Sequence, residues 1–166
     1  MATEHLLQLF RHNHWANLLL LDVCEQVSGE GFRASVDGTY GALGPTLVHL
    51  TTAESSYVWR FDQGPDRYER DDDPMPSVAE LREVLDRTGR RLVELADAMP
   101  DSAFVEYLVD REPRRWPAWT VLGQAMDHAR EHRSHIATIL TQIGITPPDM
   151  DVWAYSEHLK DEGAWV

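Results

Sequence analysis

Three histidines, His128, His132 and His135, fall within eight residues of the stretch "QAMDHAREHRSHIATIL". On a helix, residues four apart lie over successive turns, about 6 Å apart at Cβ, so His128 and His132 can reach one cation. Histidine pairs at this spacing also arise by chance, so a site needs a third ligand from another element. The best candidate is His49, in "PTLVHLTTAESSYVW". Small Ala42, Thr46 and Ala53 on its side of a helix leave it room to face a neighbour. Three neutral imidazoles leave the charge of a divalent cation uncancelled and a coordination position open, the pattern of a catalytic rather than a closed structural site. Such a cation lowers the pKa of a bound water or thiol, giving hydroxide or thiolate near neutral pH. Imidazole ligation suits zinc, nickel, iron and copper alike.

Helical geometry decides which way these rings point. At about 100° per residue, with His128 at zero, His132 falls at about 40° and His135 at about 340°. The apolar residues Val121, Ala125, Ala129, Ile136, Ile139 and Ile143 lie between roughly 20° and 100° on that scale. His128 and His132 therefore face the core or its edge, with His135 slightly outside. Asp127, Arg130, Glu131 and Ser134 make up the polar side, which disfavours Asp127 and Glu131 as general bases. Glu54, at about 140° from His49, reads as a buried-edge carboxylate, with a place behind the metal ligands as the alternative. His12 and His14 in "FRHNHWAN" are about 200° apart and cannot share a face. With terminal His5 and His158, they read as structural.

These residues need helices to hold them, and the chain supplies four amphipathic segments. The first spans about Thr3 to Val27 and ends at "SGEG"; the second covers about Leu43 to Phe61. After the proline-rich, charged loop "DQGPDRYERDDDPMP", the third runs from Ser77 to about Met99. Ser77 can cap it, and Glu80 completes the capping-box pattern. The fourth is the histidine segment, about Ala118 to Ile143, stopped by Gly144 and by prolines just beyond. "FVEYLVDREPRRWPAW" alternates weakly, as a short hairpin or an irregular crossover. A short final helix should pack through Trp153 and Tyr155. The expected architecture is an all-α four-helix bundle in one domain, residues 1–166. The links between helices one and two, and three and four, exceed a minimal turn and leave room for a crossover connection.

Composition bounds the function. The chain carries 28 Asp and Glu against 15 Lys and Arg, a formal charge of −13, which disfavours nonspecific nucleic-acid binding. Its one cysteine, Cys24, sits in an apolar run and reads as a small core residue. "ANLLLLDVC" is too short and too interrupted for a signal peptide or a membrane span. A cytoplasmic protein acting on a small molecule, away from membranes, is the expectation.

The three histidine-bearing segments together resemble the DinB/YfiT-like family of small metal-binding helical bundles. "LFRHNHWANLLLL" resembles its opening helix. "LVHLTTAESSYVW" resembles its second, where a metal histidine precedes a small residue, an acid and an aromatic. "DHAREHRSHIATIL" resembles its closing motif, a histidine pair followed by Arg-Gly-Gln-Ile. The similarity spans most of residues 5–145, and the order and spacing of the motifs make it specific. It implies His49, His128 and His132 as ligands of a divalent metal, with zinc or nickel foremost and iron a further option. Ser134 and His135 stand where glycine and glutamine are usual. The resemblance also implies a bundle with a long crossover, a homodimer, and in some members thiol-dependent transfer or isomerisation with mycothiol, bacillithiol or glutathione. The chain thus reads as a metal-dependent transferase or hydrolase in detoxification or stress response. Two rivals stand beside it: a non-catalytic metal-binding stress protein, and a peptidase matching HxxEH through "HAREH". The peptidase would need Glu131 as base and a downstream acid, Glu157 or Glu162, as ligand.

Overall fold

A computed structural model describes residues 4–164. Helix α1 covers Glu4–Cys24, α2 Leu43–Asp62, α3 Val78–Ala98, α4 Ala118–Gln142 and α5 Val152–Asp161. A two-stranded antiparallel hairpin, β1 Phe104–Val109 and β2 Glu112–Pro117, lies between α3 and α4. The fold is a helical bundle, as the periodicity implies. Expected start Thr3 lies outside the described residues, and α1 ends at Cys24 rather than Val27. The chain ends its helices as local chemistry dictates. Ser77 Oγ accepts from the Glu80 backbone N–H at 3.1 Å, Asp151 Oδ1 does the same for Ala154 at 2.8 Å, and Gly144 takes φ +81° just past α4. The capping box is only half formed, because the Glu80 carboxylate accepts from Tyr68 Oη instead.

The apolar faces meet in two main clusters, one toward each end of the bundle. Leu20, Leu21, Leu47, Leu85, Ile136 and Ile139 pack in one; Leu7, Phe10, Leu92, Leu95, Leu122 and Ala125 pack in the other. Their order along each helix fixes its direction. Helices α1 and α4 run one way, α2 and α3 the other. Helix α1 packs chiefly on α3, and α2 on α3 and α4, with α4 closing on α1. Consecutive α1 and α2 are therefore not principal neighbours, and parallel α2 and α3 need a link that returns along the bundle. That link is the segment 63–77, where Tyr68 and Met75 pack against the first cluster. The lengthwise crossover is thus the proline-rich loop, not either of the two links expected to hold it. Proline and charge signal a break in helix, and say nothing about how far the chain must travel across it.

The weakly alternating segment is a hairpin. Asp110 and Arg111 both have positive φ, 50° and 67°, as a tight two-residue turn requires. Asp-Arg lacks the usual glycine, which is why the turn signal is faint. Val105, opposite Trp116, joins Ala118 and Val121 in a third small cluster with Tyr57 and Phe61 around it. The hairpin thereby leans on the end of α2 and the start of α4. Helix α5 docks on α1 through rings: Tyr155 lies 5.3 Å from Trp15, and His158 stacks on Trp15 at 5.5 Å. Trp153, expected to pack there too, is 82% exposed, so Tyr155 alone of that pair is buried.

Candidate metal centre

Helices α2 and α4 lie side by side, and their facing histidines meet. His49 Nε2 is 3.0 Å from His128 Nε2, and His132 Nε2 is 3.1 Å from the same atom. One ligand atom from each of the three lies within 4.8 Å of the others, a group that can hold a metal ion. A single ring nitrogen carries either one proton or one lone pair. His128 Nε2 therefore cannot give both close neighbours an ordinary hydrogen bond, whereas three lone pairs converging on one cation satisfy all of them. Nitrogens around a tetrahedral zinc at about 2.0–2.1 Å would lie about 3.3 Å apart, close to the two spacings seen. The donor set fits a divalent cation.

Aromatic rings frame the centre. Tyr40 stacks on His49, centroids 4.2 Å apart and planes 17° from parallel, and meets His132 edge-on at 4.9 Å. Tyr57 approaches His128 edge-on at 5.7 Å. Tyr40 is 53% exposed and forms the rim. The turn before α2 puts it there, with Thr39 Oγ1 donating to Val36 O at 2.8 Å. His132 is buried, His49 and His128 half-buried. Burial first, then the like charge of neighbouring imidazoles, pushes His128 and His132 each down to about 4; burial lowers His49 as well. The rings therefore stay neutral, with lone pairs free, across the physiological range.

His135 does not join the three. Its ring packs edge-on against that of His132 at 5.4 Å. His12 turns toward α5 and pairs its Nε2 with Met150 O at 2.8 Å. His14 faces α3 instead and pairs with Asp86 at 3.1 Å. Cys24 is fully buried, its thiol raised to about 12 by burial, which suits a core residue. Asp127 and Glu131 are exposed.

Beside the histidines lies a buried polar layer that sequence reading missed. Arg133 Nη1 donates to Asn13 Oδ1 at 2.7 Å and Asn17 Oδ1 at 2.6 Å. Asn17 Nδ2 donates to Glu54 Oε2 at 2.8 Å, and Thr88 Oγ1 to Glu54 Oε1 at 2.6 Å. Glu54 is thus no edge carboxylate but a fully buried one, raised to about 7 by burial despite those donors and the Arg133 charge. All four bundle helices contribute, and the layer sits between the two apolar clusters. Its one sequence signal was Asn13 and Asn17 at i, i+4 inside an otherwise apolar face.

Comparison with known proteins bears on this geometry. The DinB family model matches residues 1–162, nearly the whole chain. The chain belongs to the DinB family. No curated protein matches it. Among solved structures, it is similar to the crystal structure of a DinB-like protein from Bacillus cereus ATCC 10987. That similarity has a TM-score of 0.62 at 19% identity, over 83% of this chain and 90% of the other. At that identity the likeness speaks for the helical bundle. Among the described residues of this DinB chain, the HxxEH order of "HAREH" finds no matching partners. Glu131 is exposed and outside the cluster, and exposed Glu157 and Glu162 belong to the end of the chain that docks on α1.

Proposed function

We propose that His49, His128 and His132 bind one divalent cation, zinc or nickel foremost and iron as a further fit. The chain would then be a metal-dependent transferase or hydrolase acting on a small molecule. The observation that carries this reading is the convergence of three neutral imidazoles from two helices, with two nitrogens crowding one atom of His128. A cation there supplies an acidified water or thiol near neutral pH. The protein's own part is positional. Helices α2 and α4 fix the rings, Tyr40 and Tyr57 limit their motion and their contact with water, and the buried Arg133 layer fixes the rotation of α4 beside His132. A low-molecular-weight thiol as co-substrate, a cytoplasmic homodimer and a place in detoxification or stress response follow from family resemblance and complete the reading.

Elemental analysis of protein purified without tags or added metal tests the centre. About one equivalent is expected in the wild type, and none in His128→Ala. Activity is tested separately, by thiol transfer to small electrophiles with metal-loaded protein. Loss of even an outer partner of a metal ligand costs about 10- to 100-fold, so His49→Ala should lose at least that much. A bound metal with equal rates in wild type and variant would make the protein a metal binder without turnover.

A further inference from the structure

A cleft of about 250 Å³ opens beside the centre, walled by Tyr57, Tyr107 and Trp116, with Arg60, Thr120 and Gln124 as its polar groups. It neighbours the histidines through shared residues: the Tyr57 ring in its wall lies 5.7 Å from that of His128, and Gln124 stands one helical turn before His128. The hairpin builds the outer wall. Tyr107 and Trp116 come from β1 and β2, on the face that Val105 shares with its partner Trp116.

Among the described residues, Arg60 is the one charged side chain in the lining. Its guanidinium lies over the Tyr57 ring at 5.0 Å and the Tyr107 ring at 5.2 Å. Nη1 donates to Ser56 Oγ at 2.8 Å. Among the described residues no carboxylate pairs with it, in a chain with 28 acidic side chains. The larger cleft between α2 and α3 makes the contrast. Its Arg91 is held by Asp62 and Glu94, its Arg90 by Asp86 and its Arg67 by Glu69, and only its exposed Arg87 has no carboxylate partner among the described residues. Arg60 is a cation held over two aromatic rings, and among the described residues its N–H groups meet no acceptor besides Ser56 Oγ. Such a fork matches the two oxygens of a carboxylate. Desolvation by the rings strengthens that bond, and the apolar walls favour a ligand with an aromatic or aliphatic body.

We propose that this cleft binds a small organic carboxylate with an apolar or aromatic body, its carboxylate on Arg60 and its body between Tyr57 and Trp116. The ligand's other end would then face the three-histidine centre. The role as substrate rests on the reactivity proposed for that centre; the binding site does not.

Benzoate and its neutral isostere benzamide are the probes, titrated by calorimetry and NMR into metal-free full-length protein. Benzoate should bind at least tenfold more tightly than benzamide and inorganic phosphate. Arg60→Gln should lose at least tenfold in benzoate affinity, and so should Trp116→Ala, a change at an exposed residue that the core does not need. Arg33→Gln, on the outer surface, should change nothing. His49→Ala should lose metal yet keep benzoate, so a failed metal centre leaves the cleft standing. Undetectable benzoate binding, equal binding of benzamide or phosphate, or full affinity in Arg60→Gln would each overturn the assignment.

Discussion

At the residue scale, the centre depends on three imidazoles kept neutral. His128 and His132 titrate at about 4 in the folded chain against about 6.5 when unfolded. Between those values the unfolded chain binds more protons, so stability rises with pH across that window. The contribution of the neutral pair is fully present above about 6.5 and lost as pH drops through about 4. Metal-free wild type should therefore lose melting temperature from about pH 7 to about pH 5 more steeply than the His128→Gln/His132→Gln double variant. Parallel melting curves would mean that the rings neither repel one another nor suffer from burial. The histidine pair and His49 were legible in the sequence, because spacing and face are local properties of a helix. Tyr40 and Tyr57 were not seen as part of the site, since nothing in their spacing says which rings they will meet.

At the scale of elements, two contacts show how tightly the helices are specified. A Cβ added at Gly89 on α3 would lie 2.4 Å from His14 Cδ2 and 3.1 Å from His14 Cβ. Gly89→Ala should therefore overpack the α1–α3 seam by about 1–3 kcal/mol, against a helix-propensity gain of up to about 1 kcal/mol. Urea unfolding should register a net loss; a gain would mean that α1 can shift to make room. Ser77→Ala removes the cap on α3 and should cost about 1 kcal/mol. A stability unchanged within error would show that the crossover, through Tyr68 and Glu80, holds this end by itself. Helix positions and caps were readable from 3.6-residue periodicity and from Ser77 and Gly144. The direction of α3 was not, because the same amphipathic face packs equally well parallel or antiparallel.

At the scale of the whole molecule, the bundle is two apolar clusters separated by a polar layer. Asn17, fully buried, joins Arg133 on α4 to Glu54 on α2, and Thr88 carries the network to α3. Truncating Asn17 to Ala would leave a buried guanidinium and a carboxyl each short of a partner. About 3 kcal/mol is the expected cost, since unsatisfied buried groups cost about 1–3 kcal/mol and charged ones more. Chemical denaturation should show that loss in one cooperative step. A change below about 0.5 kcal/mol, the range of surface substitutions, would mean that the layer is incidental to the fold.

The sequence by itself determined the helices, most of their limits, and the helix faces on which His49, His128 and His132 lie. All are set by interactions within a few residues along the chain. Tertiary structure decided which helices are neighbours, that the chain recrosses the bundle between α2 and α3, and that Arg133 and Glu54 are buried together. It also decided that Arg60 stands in a cleft where, among the described residues, no carboxylate pairs with it. Periodicity records that a face will be covered, but what covers it depends on the shape and charge of segments far away in the chain.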